Sequence, residues 1–242
     1  MAGQIGLQLY TVRDACAADL RGTLGKIAEI GFRGVELHDL YEHSPDEARA
    51  LLDEAGLAAI GRHLPLDADL DAIAAEARTL GYDRVAVAWT DPAATLDEAR
   101  GTVARVADAA ARADALGLRY GYHNHWHELE PHEDGTTVLD LLAELPVWLE
   151  LDLGWVWWAG EDPVELLDRF RGRTPLVHVK DLRARGTREY CPVGDGGVGY
   201  ERVVLAADVE WLVVEQDEHD GDPLEAVARS YVAVASYLGV AA

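Results

Sequence analysis

Four segments of the chain finish on side chains that bind metals or carry protons: Tyr122-His123-Asn124-His125, Glu150-Leu151-Asp152, His178-Val179-Lys180-Asp181 and Glu215-Gln216-Asp217. Each follows a short β-like run, where a core strand would ordinarily close on Val, Ile or Leu. Asp152, His178 and Glu215 offer two carboxylates and an imidazole, and His123 adds a second imidazole. Such a mixed nitrogen and oxygen set suits Mn2+, Co2+, Fe2+ or Zn2+ better than Ca2+, which prefers oxygen alone. Residues two apart on a strand share a face, so Glu150 pairs with Asp152, His178 with Lys180 and Glu36 with His38. A lone buried carboxylate or lysine is costly, and a cation or counter-charge relieves it. The plainer reading of any one of these residues is a hydrogen-bonded polar side chain. Four successive strand ends of this kind point to a shared site.

Something must bring those ends together. Strand-like runs are expected at Ile5–Leu9, Gly34–His38, Ala58–His63, Arg84–Trp89, Arg119–His123, Val147–Asp152, Leu176–Lys180 and Trp211–Glu215. Amphipathic helices are expected between them, at Asp19–Ile30, Asp46–Ala55, Leu70–Leu80, Leu96–Leu116, Thr137–Glu144, Pro163–Phe170 and Leu224–Tyr237. Several end on a glycine suited to a left-handed cap, as at Gly56 and Gly81. Eight strands with intervening helices in 242 residues predict an α/β fold, a single (β/α)8 TIM barrel over residues 1–242. An open doubly wound sheet would want a glycine loop after its first strand, and Tyr10-Thr11-Val12-Arg13-Asp14 is not one. The irregular stretch Asp181–Gly199, rich in glycine, follows predicted strand seven. It reads as a lid or as a plain connection.

Composition narrows the function. The net charge is -23, from 44 acidic and 21 basic residues, which repels phosphate backbones and anionic membranes. No nucleic acid and no membrane is therefore expected as a partner. Cys16 and Cys191 form no metal-ligand pair and suggest no disulfide framework. The opening Met1-Ala2-Gly3-Gln4 lacks a basic region followed by an apolar run, so a cytoplasmic location is expected.

With Gly6-Leu7-Gln8-Leu9-Tyr10-Thr11-Val12-Arg13, Gly31-Phe32-Arg33-Gly34-Val35-Glu36-Leu37 and Tyr122-His123-Asn124-His125-Trp126-His127-Glu128, the chain resembles the sugar phosphate isomerase/epimerase family. Leu151-Asp152-Leu153-Gly154-Trp155, Val177-His178-Val179-Lys180-Asp181 and Val214-Glu215-Gln216-Asp217 extend the likeness, from Gly6 to about Tyr237. That family belongs to the xylose isomerase-like TIM barrels. The resemblance implies one divalent metal on Asp152, His178 and Glu215, with His123 standing where many relatives have Glu. It implies Mn2+ first, with Co2+, Zn2+, Fe2+ or Mg2+ as alternatives. Trp155 stands where many relatives have His. Barrels of this kind often pair, so a homodimer is expected.

The chemistry this implies is proton transfer beside a carbonyl of a carbohydrate, through a stabilised enediolate. Glu215 is the first choice of base and Glu150 the second, with His123 able to bind metal or take a proton. Lys180 would hold an oxyanion or a substrate phosphate. Glu36, His38, His63 and His125 are expected to contact substrate, and Trp89 and Trp155 to stack on it. Glu128 is expected to orient His125, and His127 and His132 to face solvent. The main expectation is a metal-dependent isomerase or epimerase of a sugar, sugar phosphate or keto-sugar. The alternative is a lyase acting on a keto-sugar, keto-inositol or 3-keto-glycoside. An abasic-site endonuclease conflicts with the acidic charge. A non-catalytic binding protein conflicts with an intact Asp152, His178 and Glu215.

Overall fold

A computed structural model describes residues 3–240 of the chain. Met1, Ala2, Ala241 and Ala242, the outermost residues of the expected domain and leader readings, lie outside it. Eight strands close into a barrel: Gln4–Gln8, Gly34–Leu37, Ala58–Leu64, Arg84–Val87, Arg119–His123, Trp148–Asp152, Leu176–Val179 and Trp211–Val214. Every neighbouring pair is parallel, and the eighth strand returns to the first through Gln4↔Trp211 to Leu7↔Val214. The expected strands are all present, with ends shifted by a residue or two.

The longer helices cover the outside because each presents one apolar stripe to the strands. Pro45–Ala55 shows the local logic. Ser44 and Glu47 form a capping box, Pro45 takes the first turn, Ala48, Leu51 and Leu52 are buried, and Gly56 closes the helix at φ +70°. Leu70–Leu80 repeats this with an Asp69 cap and Gly81 at φ +82°. The apolar core lies between strands and helices, where Leu7, Ile27, Phe32, Val35, Leu80 and Leu151 are sealed from solvent.

Inside the barrel the filling changes with height. Ile60, Leu176, Trp211 and Val213 form an apolar plug, with Trp148 packed against it. Gly34 makes room for it: a Cβ there would lie 2.9 Å from the Trp211 ring. Above the plug the filling becomes polar, with Gln8, Glu36, Glu150, Asp152 and His178 all at 0% exposure. Register sets their heights. His123 is level with Glu150, and Asp152 with His178.

Three α-helices were not anticipated: Arg13–Ala18, Leu153–Trp158 and Tyr200–Ala206. Leu153–Trp158 is the informative one. Its first four residues, Leu153, Gly154, Trp155 and Val156, are all buried, so it carries no amphipathic stripe to read. Asp152 starts it, accepting from the backbone N–H groups of Gly154 (2.9 Å) and Trp155 (3.0 Å) through Oδ1. The stretch after strand seven is also more ordered than expected. Asp181–Leu182 and Tyr190–Cys191 pair as a short antiparallel ribbon. Among the described residues no helix is long and apolar enough to cross a membrane.

Candidate metal and proton-transfer site

The polar layer opens at the C-terminal ends of the strands. His123, Asp152, His178 and Glu215 come together there: one ligand atom from each lies within 4.8 Å of the others, and all four residues are buried. His123 ends strand five and Asp152 ends strand six. His178 sits inside strand seven, and Glu215 follows strand eight, its N–H donating to Val179 O at 3.3 Å. The sequence places these residues up to 92 positions apart (215 − 123), and the barrel makes them neighbours.

Lys180 is the hub of the upper site. Its Nζ lies 2.9 Å from Asp152 Oδ2, 3.0 Å from Glu215 Oε2 and 3.0 Å from Asp217 Oδ1. It also lies 5.0 Å from the centre of the Trp155 ring, a cation–π distance. Burial alone would lower the lysine, but Asp152, Asp217 and Glu215 hold its pKa well above the ordinary value. Burial alone would raise Glu215, but Lys180 and His178 hold it well below the usual carboxylate range. His178 stands between two carboxylates, Nδ1 2.8 Å from Glu215 Oε2 and Nε2 2.7 Å from Glu36 Oε2. Burial alone would lower its pKa, but Glu150 and Glu215 outweigh it and hold the value well above that of an ordinary histidine.

His123 and His125 behave in the opposite way. Burial first, and then the surrounding cationic groups, push both well below the ordinary histidine value. A neutral imidazole is the form that ligates metal or accepts a proton.

A second cluster lies deeper. His63 Nε2 is hydrogen-bonded to Glu150 Oε2 and lies 3.6 Å from Glu36 Oε2. Gln8 Nε2 donates to Glu36 Oε2 at 2.9 Å. Burial and the nearby Glu36 carboxylate push Glu150 up to about 7.

A cavity of about 370 Å³ opens above these groups. Of the expected catalytic and substrate residues, His38, His63, Trp89, His123, His125, Lys180 and Glu215 line it. Glu36, Glu150 and Trp155 do not. Glu36 and Glu150 lie below it in the polar layer, because their strand positions are one turn of the pleat lower than the mouth. Trp155, expected to stack on substrate, is only 2% exposed and packs against Lys180 instead. Trp89 is at the rim, 41% exposed, edge-on to His125 at 4.6 Å.

His127, expected in solvent, is buried, with Nε2 3.1 Å from Thr90 O and 2.9 Å from Glu128 Oε1. His132 is half-buried. Glu128 reaches His125 through the main chain, accepting its N–H at 2.8 Å, and accepts from the Tyr122 hydroxyl at 2.8 Å.

Several contributors were missed. Asp217 supplies Lys180 with a third carboxylate, and Gln8 supports Glu36. Asn124 Oδ1 accepts the Asp152 N–H at 3.1 Å. Tyr200 ties its hydroxyl to the Lys180 main chain, 2.9 Å from N and 2.8 Å from O. Gln8 carried a signal, as a polar residue within an otherwise apolar first strand. Tyr200 carried none.

The upper group fits a divalent cation. Its donors are two imidazoles and two carboxylates gathered from four strand ends, all of them buried. Asp181, next to Lys180, plays no part in that donor set. Its carboxylate accepts main-chain N–H groups from Leu182 (3.0 Å), Gly194 (2.9 Å), Gly196 (3.1 Å) and Val198 (3.3 Å). It thus folds the glycine-rich stretch back over the barrel, where Arg188 reaches the cavity wall.

Comparison with known proteins agrees with this architecture. The chain is 29% identical to an inosose dehydratase of Clostridium perfringens, over 50% of each chain. It therefore spans about half the length of that curated relative. A sugar phosphate isomerase/epimerase structure from Parabacteroides distasonis superposes with a TM-score of 0.79 at 20% identity, covering 98% of this chain and 96% of that one. A probable 3-DHS dehydratase from Bacillus anthracis superposes with a TM-score of 0.74 at 14% identity, covering 94% and 97%. At those identities the two structures speak for the fold alone. The family described as xylose isomerase-like TIM barrel matches residues 24–231, and with its closed parallel barrel the chain belongs to that family.

Proposed function

We propose that the protein is a lyase that dehydrates a cyclic keto-sugar or keto-cyclitol, by removing a proton beside the ketone and expelling a β-hydroxyl. This moves the expected weight from isomerase to dehydratase. The observation that carries it is the unlike pair on the cavity wall: the Glu215 carboxylate, beside Lys180 and His178, and the His63 imidazole, hydrogen-bonded to Glu150. A two-base epimerase needs matched bases on opposite faces of the substrate. Here one wall offers a carboxylate, and another offers an imidazole whose pKa Glu36 and Glu150 hold above the ordinary histidine value against the effect of burial. The inosose dehydratase relatives favour the same reading.

In this reading Glu215 takes the proton from the carbon next to the ketone, and the electron pair moves onto the ketone oxygen as an enolate. Lys180, a fixed ammonium beside Glu215, lies on the wall to steady that negative charge. The pair then returns, the bond from the β-carbon to its hydroxyl breaks, and the His63 imidazolium supplies the proton that lets the hydroxyl leave as water. His125 and Trp89 border the substrate, and the 370 Å³ cavity suits a single ring. A divalent cation on His123, Asp152, His178 and Glu215, with Mn2+ as the proposed ion, would polarise the ketone and a neighbouring hydroxyl. A phosphate is not required, although Arg13 and Arg188 border the mouth. The two free buried thiols fit the expected cytoplasmic setting.

The test is incubation in D2O with a panel of keto-inositols, 3-keto-glycosides and ketoses, read by mass spectrometry and NMR. Loss of one water with formation of an unsaturated ketone supports the reading. Deuterium gain with every oxygen retained transfers the assignment to an isomerase or epimerase. Glu215→Gln should lower kcat by about 10²–10⁴-fold on the true substrate.

A further inference from the structure

Most of the chain's arginines sit beside a carboxylate, as Arg62 does beside Glu76 at 2.8 Å and Arg202 beside Asp162 at 2.9 Å. With 44 acidic residues against 21 basic ones, that is the expected state of an arginine here. Two arginines on the cavity wall depart from it. Arg13 and Arg188 have no Asp or Glu within ion-pair distance among the described residues. The other permanent cation on that wall, Lys180, already faces Asp152, Glu215 and Asp217.

Both guanidiniums are held by other means. Arg13 Nη1 donates to the main-chain oxygens of Tyr10 (2.9 Å) and Asp217 (3.0 Å), and its Cζ lies 4.2 Å from the centre of the Tyr10 ring. Arg188 is exposed, and its Cζ lies 4.9 Å from the centre of the Trp126 ring. The segment that carries it is pinned on both sides. Trp158 Nε1 donates to Thr187 O at 2.9 Å, and Arg183 N–H donates to Glu189 O at 2.9 Å. An aromatic ring occupies the face of a guanidinium and leaves the N–H groups along its edge for a planar acceptor. The charges of the wall leave a place for one anion. Glu215 and Asp217 belong to Lys180, so the two guanidiniums face only the exposed Glu218, and one positive charge is uncompensated. A carboxylate matches that single charge. A phosphate ester, with about −1.5 to −2 at pH 7, exceeds it and is repelled more strongly by the carboxylates below.

We propose that Arg188, with Arg13 on the same wall, selects a substrate whose ring bears a carboxylate. The substrate class thereby narrows from keto-sugars and keto-cyclitols at large to their carboxylic acids. The planar fork of a guanidinium pairs with a carboxylate through two parallel hydrogen bonds, which fixes orientation as well as charge. Arg188 would touch that substituent and none of the reacting atoms. The inference rests on the reading of this cavity as a carbohydrate site, and it does not require the elimination step.

The test is an NMR titration of the full-length protein with glucose, glucuronate and glucose 6-phosphate, three rings that differ only at carbon six. Glucuronate should bind at least about tenfold more tightly than glucose, as one charged, hydrogen-bonded pair allows, and more tightly than glucose 6-phosphate. Arg188→Gln should bring glucuronate down to the level of glucose. Arg188→Lys, which keeps the charge without the planar fork, should restore only part of the preference. Equal affinity of the wild type for glucose and glucuronate, absence of measurable binding included, overturns the proposal whether or not any variant folds. So does a preference for glucuronate that survives in both Arg188→Gln and Arg13→Gln. Tighter binding of glucose 6-phosphate than of glucuronate assigns the wall to a dianion and overturns the carboxylate. Because binding is read without turnover, the two readings fail separately. A preference for the acid with no water loss from any keto acid sinks the dehydratase and leaves this inference standing, and water loss from neutral keto-sugars with no preference for the acid does the reverse.

Discussion

Lys180 Nζ lies 2.9 Å from Asp152 Oδ2, and neither side chain is more than 1% exposed. One strand supplies the charge and its neighbour the counter-charge, at a level where a cation is also expected. Removing Lys180 takes the shared ammonium from the buried Asp152 and Glu215 carboxylates, at a cost of about 3–5 kcal/mol. Lys180→Met should therefore melt well below the wild type in metal-free buffer. Added Mn2+ should recover more of the variant's stability than it adds to the wild type, since the ion replaces the lost charge. Equal stabilisation of the two proteins in thermal melts would show that lysine and cation do not share that role.

Asp152 has two separable duties, because Oδ1 caps the helix Leu153–Trp158 and Oδ2 faces the cation group. Asparagine keeps a capping oxygen and loses the charge. Asp152→Asn should retain the wild-type circular dichroism spectrum and lose at least about tenfold in affinity for Mn2+, measured by calorimetry. Asp152→Ala should lose both.

Gly154 packs flat against the seventh strand's end, where a Cβ would collide with the Lys180 carbonyl oxygen. Neither backbone has room to retreat, since the helix is capped at Asp152 and Lys180 is tied to Tyr200. Gly154→Ala should cost about 1–3 kcal/mol in urea unfolding, although alanine is the better helix former. A neutral or stabilising result would mean that the close approach is not there in solution.

Asp181 holds the stretch that carries Arg188 to the cavity. Asp181→Ala strands several buried N–H groups and should cost about 3 kcal/mol. Amide exchange should quicken at Gly194, Gly196 and Val198, and KM should rise more than kcat falls, because the loop borders substrate and touches no reacting atom. Unchanged exchange at those three amides would show that the carboxylate is not the anchor.

Cys16 and Cys191 are buried and unpaired, and burial pushes their thiols up to about 12 and about 11. Alkylation needs the thiolate, so neither should label with iodoacetamide at pH 8 in the native protein, and both should label in denaturant. Reactivity should grow as pH climbs toward 11, with Cys191 ahead of Cys16. Rapid native labelling at pH 8, read by mass spectrometry, would contradict the burial of both.

Much of the fold was legible because its signals are local. The stripe and cap of Pro45–Ala55 and the apolar run of Leu176–Val179 depend on residues within a few positions of one another. Leu153–Trp158 escaped because it is apolar on all sides and begins at a residue valued only as a ligand. His127 was misjudged for a related reason: a polar residue in a polar run looks exposed until Thr90 and Glu128 close around it.

The sequence by itself determined which strand ends carry ligands, the order in which they come, and the face each side chain takes. Alternation along a strand is enough for that. Only the tertiary structure decided height. Parallel strands in a closed barrel are staggered against one another, and that stagger sets Asp152 level with His178 but His123 level with Glu150. It sets Asp152 and Glu215 beside Lys180 and drops Glu36 and Glu150 below the cavity floor, with His123 and His178 between them. A single chain read end to end holds no information on stagger, because stagger comes from hydrogen bonds between strands that the sequence keeps apart.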